Sequence, residues 1–176
     1  MEKVQAVLVE IDFDEAKKIW QQKLWPNRQS PIEPVACINR NGAIDLSIKN
    51  SSPRFYKLMH LKNSRLSDTW IAAGSVIQIS DTESRLRGII VRPKFQGMGL
   101  GRYFINLLEQ TLNQDCQFLW AMPRQSNQVF FQKLGFTTFL NLDGYEFGPH
   151  YLMGKEIFRN KYSSDENLNF DRILAP

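Results

Sequence analysis

The sequence of 176 residues contains only two cysteines, and this scarcity narrows the chemistry open to it. Cys37 and Cys116 lie far apart and form no C-x-x-C pair, so their spacing indicates neither a disulfide framework nor a zinc site. Free cysteine is commonly buried, and we therefore expect two small core residues, with a catalytic thiol as the minor alternative. No metal is expected.

The sequence also lacks an apolar run long enough to cross a bilayer. Its first residues are MEKVQAVLVEIDFDE, in which acidic side chains occur where a secretory signal would have basic and then apolar residues. These absences predict a cytoplasmic protein without a membrane partner. The composition, 43% hydrophobic and 23% charged, is typical of one globular domain with a sizeable core. We expect that domain to span residues 1–160, followed by a loosely attached polar tail at 161–176.

Acidic residues are missing from the stretch 84–102, which nevertheless holds five basic residues: Arg85, Arg87, Arg92, Lys94 and Arg102. This local excess of positive charge favours an anionic ligand. A nucleic acid is not expected, because the pattern is that of a strand and a turn rather than a basic helix or an aromatic platform.

The same stretch contains a glycine-rich turn between an apolar strand and a helix. Gly97, Gly99 and Gly101 alternate, so main-chain N–H groups can approach an anion without interference from Cβ atoms. The helix that follows would direct its positive end toward the same point. Its apolar residues recur at helical spacing, at Phe104, Leu107, Leu108 and Leu112. The pattern predicts a pyrophosphate cradle.

The spacing of this turn excludes two common phosphate-binding motifs. A dinucleotide fingerprint needs glycine at the sixth position from Gly97, where the sequence has Arg102, and no Walker A run is present. Gln96, Gly99 and Gly101 instead resemble the acyl-coenzyme A loop of the GNAT superfamily of N-acetyltransferases, in which Gln or Arg is followed by two residues, Gly, one residue, and Gly or Ala.

A second segment, 121–136, is similar to the next GNAT motif, which ends in Phe-Tyr-x-x-x-Gly-Phe. Phe130, Phe131, Gly135 and Phe136 occupy those places. The resemblance covers about residues 69–139. It implies an α/β (α+β) fold with a mixed, mostly antiparallel central sheet flanked by helices, and a pyrophosphate-binding turn between the fourth strand and the following helix.

Periodicity and composition predict the individual elements. Strands are predicted at residues 4–11, 55–61, 70–79, 85–91, 118–122, 136–140 and 151–157. The first strand has apolar residues on both faces and is expected to be covered on both. Helices are predicted from Asp12 to before Pro26, after the glycine turn, and at 127–134. Within residues 26–50 the one feature that the sequence predicts is a hairpin turn at 39–42, with short flanking strands at 35–38 and 43–48.

The resemblance implies that acetyl-coenzyme A is the co-substrate. Main-chain groups of Ile89, Ile90 and Val91 would hold the pantetheine arm, with an N–H near Ile90 or Val91 as oxyanion donor. The pyrophosphate would be held by Gln96, Gly97, Met98, Gly99, Leu100, Gly101 and Arg102.

The implied reaction is transfer of the acetyl group to a primary amine of a small molecule or protein by direct attack. A longer-chain acyltransferase and a non-catalytic module that binds coenzyme A thioesters are the alternatives. The sequence leaves open the acceptor, the acyl chain, and whether the protein is a monomer or a homodimer.

The proton-transfer groups are also open, because Phe131 stands where many GNAT enzymes have a tyrosine that protonates the departing thiolate. The candidates are Glu83, Tyr103, Tyr145 and Tyr151, with Cys116 or water as further acids and His60, Asp68 or Asp81 as further bases.

Several residues are candidates for the acceptor pocket. Arg85 and Arg87 alternate on a strand and so share a face, which would suit an acceptor carrying a carboxylate or phosphate. Partners such as Glu83 or the phosphates of coenzyme A are an equal alternative. Trp20, Trp25 and a loop with Tyr145, Phe147 and His150 could border the same pocket.

Overall fold

The computed structural model describes residues 5–62 and 65–158, in which seven strands form one sheet. The strands are β1 (Gln5–Ile11), β2 (Ser52–Lys62), β3 (Arg65–Gln78), β4 (Glu83–Val91), β5 (Phe118–Ala121), β6 (Thr137–Leu142) and β7 (His150–Glu156). Their order is β1-β2-β3-β4-β5-β7-β6, and every neighbouring pair is antiparallel except β4 with β5. The predicted mixed, mostly antiparallel sheet is confirmed; the predicted tail at 161–176 lies outside the described residues.

The α-helices of the described residues are α1 (Phe13–Ile19), α2 (Leu100–Gln110) and α3 (Gln128–Gln132). α1 begins as predicted, because Asp12 Oδ1 accepts a hydrogen bond from Glu15 N at 2.8 Å. It continues into a π-helical turn, Trp20–Leu24. The apolar face of α2 includes Phe104 and Leu108, both fully buried against the sheet. Burial of each such side chain contributes about 1.5–3 kcal/mol.

Two of the expected features in the first half of the chain are wrong. β1 is an edge strand, and none of its residues is fully buried; Val7, for example, is 38% exposed. The short strands expected on both sides of the 39–42 turn reduce to one isolated bridge between Ile38 and Ile44, and the chain then forms a 3-10 helix, Leu46–Asn50. The Asp45 side chain accepts from Ser47 N at 3.0 Å, and this local bond turns the chain away from an extended conformation.

The sheet opens between β4 and β5. Their parallel pairing extends only from Glu83 with Phe118 to Leu86 with Ala121. Beyond Ala121 the chain stays with β7, because Pro123 O accepts from Tyr151 N at 2.9 Å. The second half of β4 is therefore left with an open edge, and the gap between it and the chain beyond Ala121 is called the fork below.

A bulge in β4 lies beside the fork. The register with β3 shifts between Ala73 and Ser75, opposite Gly88, whose φ is +66°. Trp20 Nε1 donates to Gly88 O at 2.9 Å, and a Cβ atom on Gly88 would lie 2.2 Å from the Trp20 ring. Glycine is required here both for the left-handed conformation and for the close approach of the indole. The contact holds the N-terminal segment against the middle of β4.

Candidate active site

The glycine turn and the open edge of β4 border a cavity of about 500 Å3, which we call the cradle cavity. Most of the predicted cofactor residues line it: Ile89, Val91, Gln96, Gly97, Gly99, Gly101 and Arg102. The side chains of the other three lie elsewhere. Leu100 is buried in the core, Met98 is 42% exposed, and Ile90 is outside the lining.

The turn presents main chain to this cavity. Gly97 and Gly99 have φ values of +76° and +77°, and a Cβ atom on either would meet no heavy atom within 4 Å. Gly99 is the N-cap of α2, so the first-turn N–H groups of that helix have no intrahelical acceptor. Gln96 Nε2 donates to Val91 O at 2.9 Å and ties the turn to the end of β4. The arrangement offers N–H donors to an anion in open space.

The register of β4 decides which main-chain groups face the fork. Arg92 N donates to Ile71 O at 2.9 Å. Hydrogen-bonded pairs alternate along an antiparallel ladder, so the groups of Ile90 turn toward its partner Ala73, and those of Val91 turn toward the open edge. Of the two residues expected to supply an oxyanion donor, the register favours Val91.

A second cavity, of about 380 Å3, lies on the other side of the fork, and we call it the arginine cavity. Its walls come from five separate segments, within residues 24–30, 36–38, 85–89, 121–131 and 144–150. Four arginines line it: Arg28, Arg85, Arg87 and Arg124. Ile89, Asn127 and Phe131 line both cavities, so the two spaces meet at the fork.

Arg85 is 4% exposed, and its guanidinium lies 4.6 Å from the centre of the Trp120 ring. Its Nη1 donates to the carbonyls of Ala36 at 2.9 Å and Ile38 at 3.3 Å, while the buried Nε has no partner among the described residues. Burial lowers the pKa of Arg85 to about 10, so the side chain remains charged at neutral pH.

Arg87 shares this face of β4, as predicted, and is 8% exposed. Its Nη1 donates to the carbonyls of Glu33 at 2.7 Å and Pro34 at 3.2 Å. Burial, with the like charges of Arg85 and Arg28, lowers the pKa of Arg87 to about 9. Both buried cations thus bind main-chain carbonyls of the segment 33–38, rather than the Glu83 carboxylate expected as an alternative.

His150, at the start of β7, lines the arginine cavity. Its hydrogen bonding identifies the ring nitrogen that carries the proton. Nδ1 lies 2.7 Å from Gly148 O, and a carbonyl only accepts, so Nδ1 carries the proton. In the neutral ring Nε2 then has a free lone pair. Burial, assisted by the nearby charge of Arg124, lowers the pKa of His150 and keeps the imidazole neutral at pH 7.

The other predicted catalytic residues fall in different places. Tyr145 lines the arginine cavity, with its ring centre 5.3 Å from that of His150. Tyr103 and Tyr151 pack against the main core, outside both linings. Glu83 lies at the start of β4, where it accepts from Trp120 Nε1 at 2.7 Å and lies 3.8 Å from Arg40.

The other residues considered for the site lie at the junction of the cavities, in the core or outside both linings. Phe131 is 5% exposed at the junction of the two cavities. Cys116 is 2% exposed in the core, as expected, whereas Cys37 is only half-buried. The side chains of His60, Asp68 and Asp81 lie outside both linings.

Sequence reasoning missed Gly88, Arg28, Arg124 and Asn127. An isolated glycine in a strand pattern is a known signal for a bulge, so Gly88 could have been found. The other three lie in segments without hydrophobic periodicity, where nothing in the sequence distinguishes them.

The mixed sheet, open between its fourth and fifth strands with a glycine turn at the mouth, is the fold that the resemblance to the GNAT superfamily implies. Residues 65–138 match the family model described as an acetyltransferase (GNAT) domain. This part of the chain, 74 of its 176 residues, is therefore similar to a GNAT acetyltransferase domain. No curated protein sequence matches the chain.

Solved structures similar to this chain come from several bacteria. An N-acetyltransferase candidate from Lactobacillus plantarum is 15% identical, with a TM-score of 0.63 over 89% of this chain and 100% of that one. The ribosomal-protein-S18-alanine N-acetyltransferase from Escherichia coli is 17% identical, with a TM-score of 0.59 over 90% and 98%. A mutant of the spermidine N-acetyltransferase SpeG from Vibrio cholerae is 16% identical, with a TM-score of 0.59 over 86% and 94%. At these identities the likeness shows the fold.

No helix in residues 5–62 and 65–158 is long and apolar enough to span a membrane. Within the same ranges, no group of three or more His, Cys, Asp or Glu side chains is placed to hold a metal ion.

Proposed function

We propose that the protein is an N-acetyltransferase that transfers an acetyl group from acetyl-coenzyme A to a primary amine by direct attack. The observation that carries this proposal is the meeting of the two cavities at the fork, at Ile89, Asn127 and Phe131. A main-chain cradle on one side suits a pyrophosphate, and a pocket lined by side chains on the other suits an acceptor.

The residues of the cradle cavity fit acetyl-coenzyme A, which supplies the activated acetyl group when bound. Gly97, Gly99 and the first turn of α2 would hold the pyrophosphate through N–H donors. Each hydrogen bond to a charged group contributes about 1.5–3 kcal/mol net. The open edge of β4 would hold the pantetheine arm, with Val91 N–H directed toward the oxygen that gains negative charge.

His150 is the base in this proposal. An amine must lose its proton to attack, and the free Nε2 of a neutral imidazole can take it. Phe131 cannot return a proton to the departing thiolate, so that proton would come from Tyr145 or from water. A thiolate is a tolerable leaving group without a dedicated acid, since the pKa of a free thiol is about 8.5.

The test compares the two histidines of the chain. His150→Gln should lower kcat by about 10²–10⁴ while leaving the affinity for acetyl-coenzyme A unchanged, because a general base acts on the chemical step. Thiol release measures kcat, and calorimetry measures affinity. His60→Gln is the matched control, since His60 lies outside both cavities, and equal losses in the two variants would remove His150 from the mechanism.

The pH profile gives an independent measurement. The base acts only when neutral, so the kcat/KM of the wild type should fall as the pH drops through the pKa of His150. That midpoint should lie below the usual 6.5, because burial disfavours the charged ring. In His150→Gln this acidic limb should disappear. A limb that persists unchanged would assign the titration to another group.

The alternatives give different outcomes in the same assay. Binding of acetyl-coenzyme A without thiol release with any amine would indicate a non-catalytic thioester-binding module, for which Phe131 is the supporting observation. Faster turnover of longer acyl-coenzyme A thioesters would indicate a longer-chain acyltransferase. The cytoplasmic location, the lack of a nucleic-acid partner and the choice between monomer and homodimer stay predictions.

A further inference from the structure

The charge of the arginine cavity is unusual for a pocket that receives an amine, because a protonated amine is itself a cation. Four guanidinium groups line it, and Glu146 is the acidic residue among the described residues of its walls. The Glu146 carboxylate accepts from Gln29 N and from Ser30 Oγ. Those hydrogen bonds lower the pKa of Glu146 and keep it ionised, with a smaller effect from Arg28.

Two of the guanidinium groups share one aromatic ring. The Cζ atoms of Arg28 and Arg87 lie 4.9 and 5.2 Å from the centre of the Trp25 ring. Arg28 donates through Nε to Ser30 O at 3.1 Å, and Arg87 donates only through Nη1. Neither forms an ion pair with a carboxylate of the described residues, so several N–H groups on each remain available.

We propose that the acceptor is a small amine that also carries a carboxylate or phosphate group, and that Arg28 and Arg87 bind that anion. The proposal rests on the proposed function and names its substrate class. A planar guanidinium offers parallel N–H donors that match a carboxylate or phosphate, and an anion between two guanidinium groups would relieve their repulsion.

The size of the cavity favours a small molecule over a protein terminus. Its volume of about 380 Å3 suits a ligand of amino-acid size. Glu146 ties two of its walls together through Gln29 and Ser30, and His150 lines the same space. A small amine held by its anion at Arg28 and Arg87 would present its nitrogen within the pocket that contains the base.

The experiment measures thiol release from acetyl-coenzyme A with pairs of amines that differ in one anionic group. The pairs are L-leucine with L-leucinamide and phosphoethanolamine with ethanolamine; spermidine serves as a polycation, and a neutral peptide with a free N-terminus represents proteins. The kcat/KM for the anionic member of at least one pair should exceed that of its partner by about 10-fold or more, the value of one charge-assisted hydrogen bond. The pair that responds identifies carboxylate or phosphate as the anion.

Arg28→Gln should lower that preference about 10-fold, with acetyl-coenzyme A affinity unchanged. Arg28 is half-exposed and makes one hydrogen bond, so the variant is expected to fold. Arg65→Gln, on the exposed start of β3, is the matched control for the loss of one positive charge and should keep the full preference.

Preference for spermidine or for the uncharged amines, or an equal preference in Arg28→Gln, would overturn this inference while leaving the acetyltransferase proposal intact. Faster turnover of the peptide would overturn this inference as well, by indicating that the acceptor is a protein N-terminus. If no amine releases thiol, the acetyltransferase proposal fails, and the anion site is then tested alone. Calorimetric titration of L-leucine and phosphoethanolamine into the protein saturated with coenzyme A must show binding that Arg28→Gln weakens, and no binding would overturn the site.

Discussion

The cradle cavity and the arginine cavity meet at the fork, yet they are constructed in opposite ways. The cradle is formed largely by consecutive residues, 89–102, and it presents main-chain groups. The arginine cavity is formed by five separated segments, and it presents side chains. A site made from neighbouring main-chain groups depends on local conformation, whereas a site made from distant side chains depends on the whole fold.

The glycines of the two sides show the same contrast. Gly99, beside the cradle, and Gly88, beside the arginine cavity, both have left-handed φ values. A Cβ atom on Gly99 would enter open space, but one on Gly88 would collide with the buried Trp20 ring. Substitution of the first should therefore mainly reduce ligand binding, and substitution of the second should mainly reduce stability.

Gly88→Ala should have the largest effect on stability. Left-handed strain and forced displacement of the Trp20 ring, which is fully buried, should together lower the free energy of unfolding by about 3 kcal/mol. Urea denaturation measures this loss. Gly135→Ala is the control, with a φ of +85° but its nearest contact, Lys155 Cδ, at 3.9 Å, and it should cost only about 1 kcal/mol. Equal losses of stability in the two variants would show that the Trp20 ring moves aside without a measurable cost.

Gly99→Ala should have an intermediate effect, expressed in affinity. Its backbone strain should match that of Gly135→Ala, while the added methyl group enters the space expected to hold the pyrophosphate. We expect acetyl-coenzyme A to bind about 10–100-fold more weakly, equivalent to the loss of one charge-assisted hydrogen bond. Calorimetry on both variants makes the comparison, and unchanged affinity in a folded Gly99→Ala protein would remove the glycine turn from the site.

Arg102→Gln should have the smallest effect. Arg102 lines the cradle cavity from an exposed position, and its Nη2 makes only a long contact of 3.4 Å with Lys133 O. Exposed charges are screened by salt, so acetyl-coenzyme A should bind about 2–5-fold more weakly at low salt, with the difference fading as salt is raised. Arg65→Gln again controls for net charge. A loss that persists at every salt concentration would indicate a direct, desolvated contact.

The sequence allowed the cradle to be predicted because its information is local. Alternating glycines before an amphipathic helix predict left-handed turns and free N–H groups without knowledge of any other segment. Gly97 and Gly99 have left-handed φ values, and the turn lies between the fourth strand and α2 as predicted. The strands that carry it were found for the same reason, since hydrophobic alternation is a local pattern.

The arginine cavity could not be predicted in the same way. Strand alternation predicts that Arg85 and Arg87 share one face, but their partners are carbonyls in the segment 33–38, which has no periodic pattern. For His150 the sequence predicts only a position near the acceptor, because its tautomer depends on the Gly148 carbonyl and its pKa depends on burial. Both properties arise only when distant segments pack together.

The short pairing of β4 with β5 has a mechanical consequence. Four residue pairs join the half-sheet β1–β4 to the half-sheet of β5, β7 and β6. A ligand bonded along the open edge of β4 while touching Asn127 and Phe131 spans both halves. Bound coenzyme A would then connect the two half-sheets. Because the two half-sheets also share the main hydrophobic core, such a ligand would add to contacts that already join them.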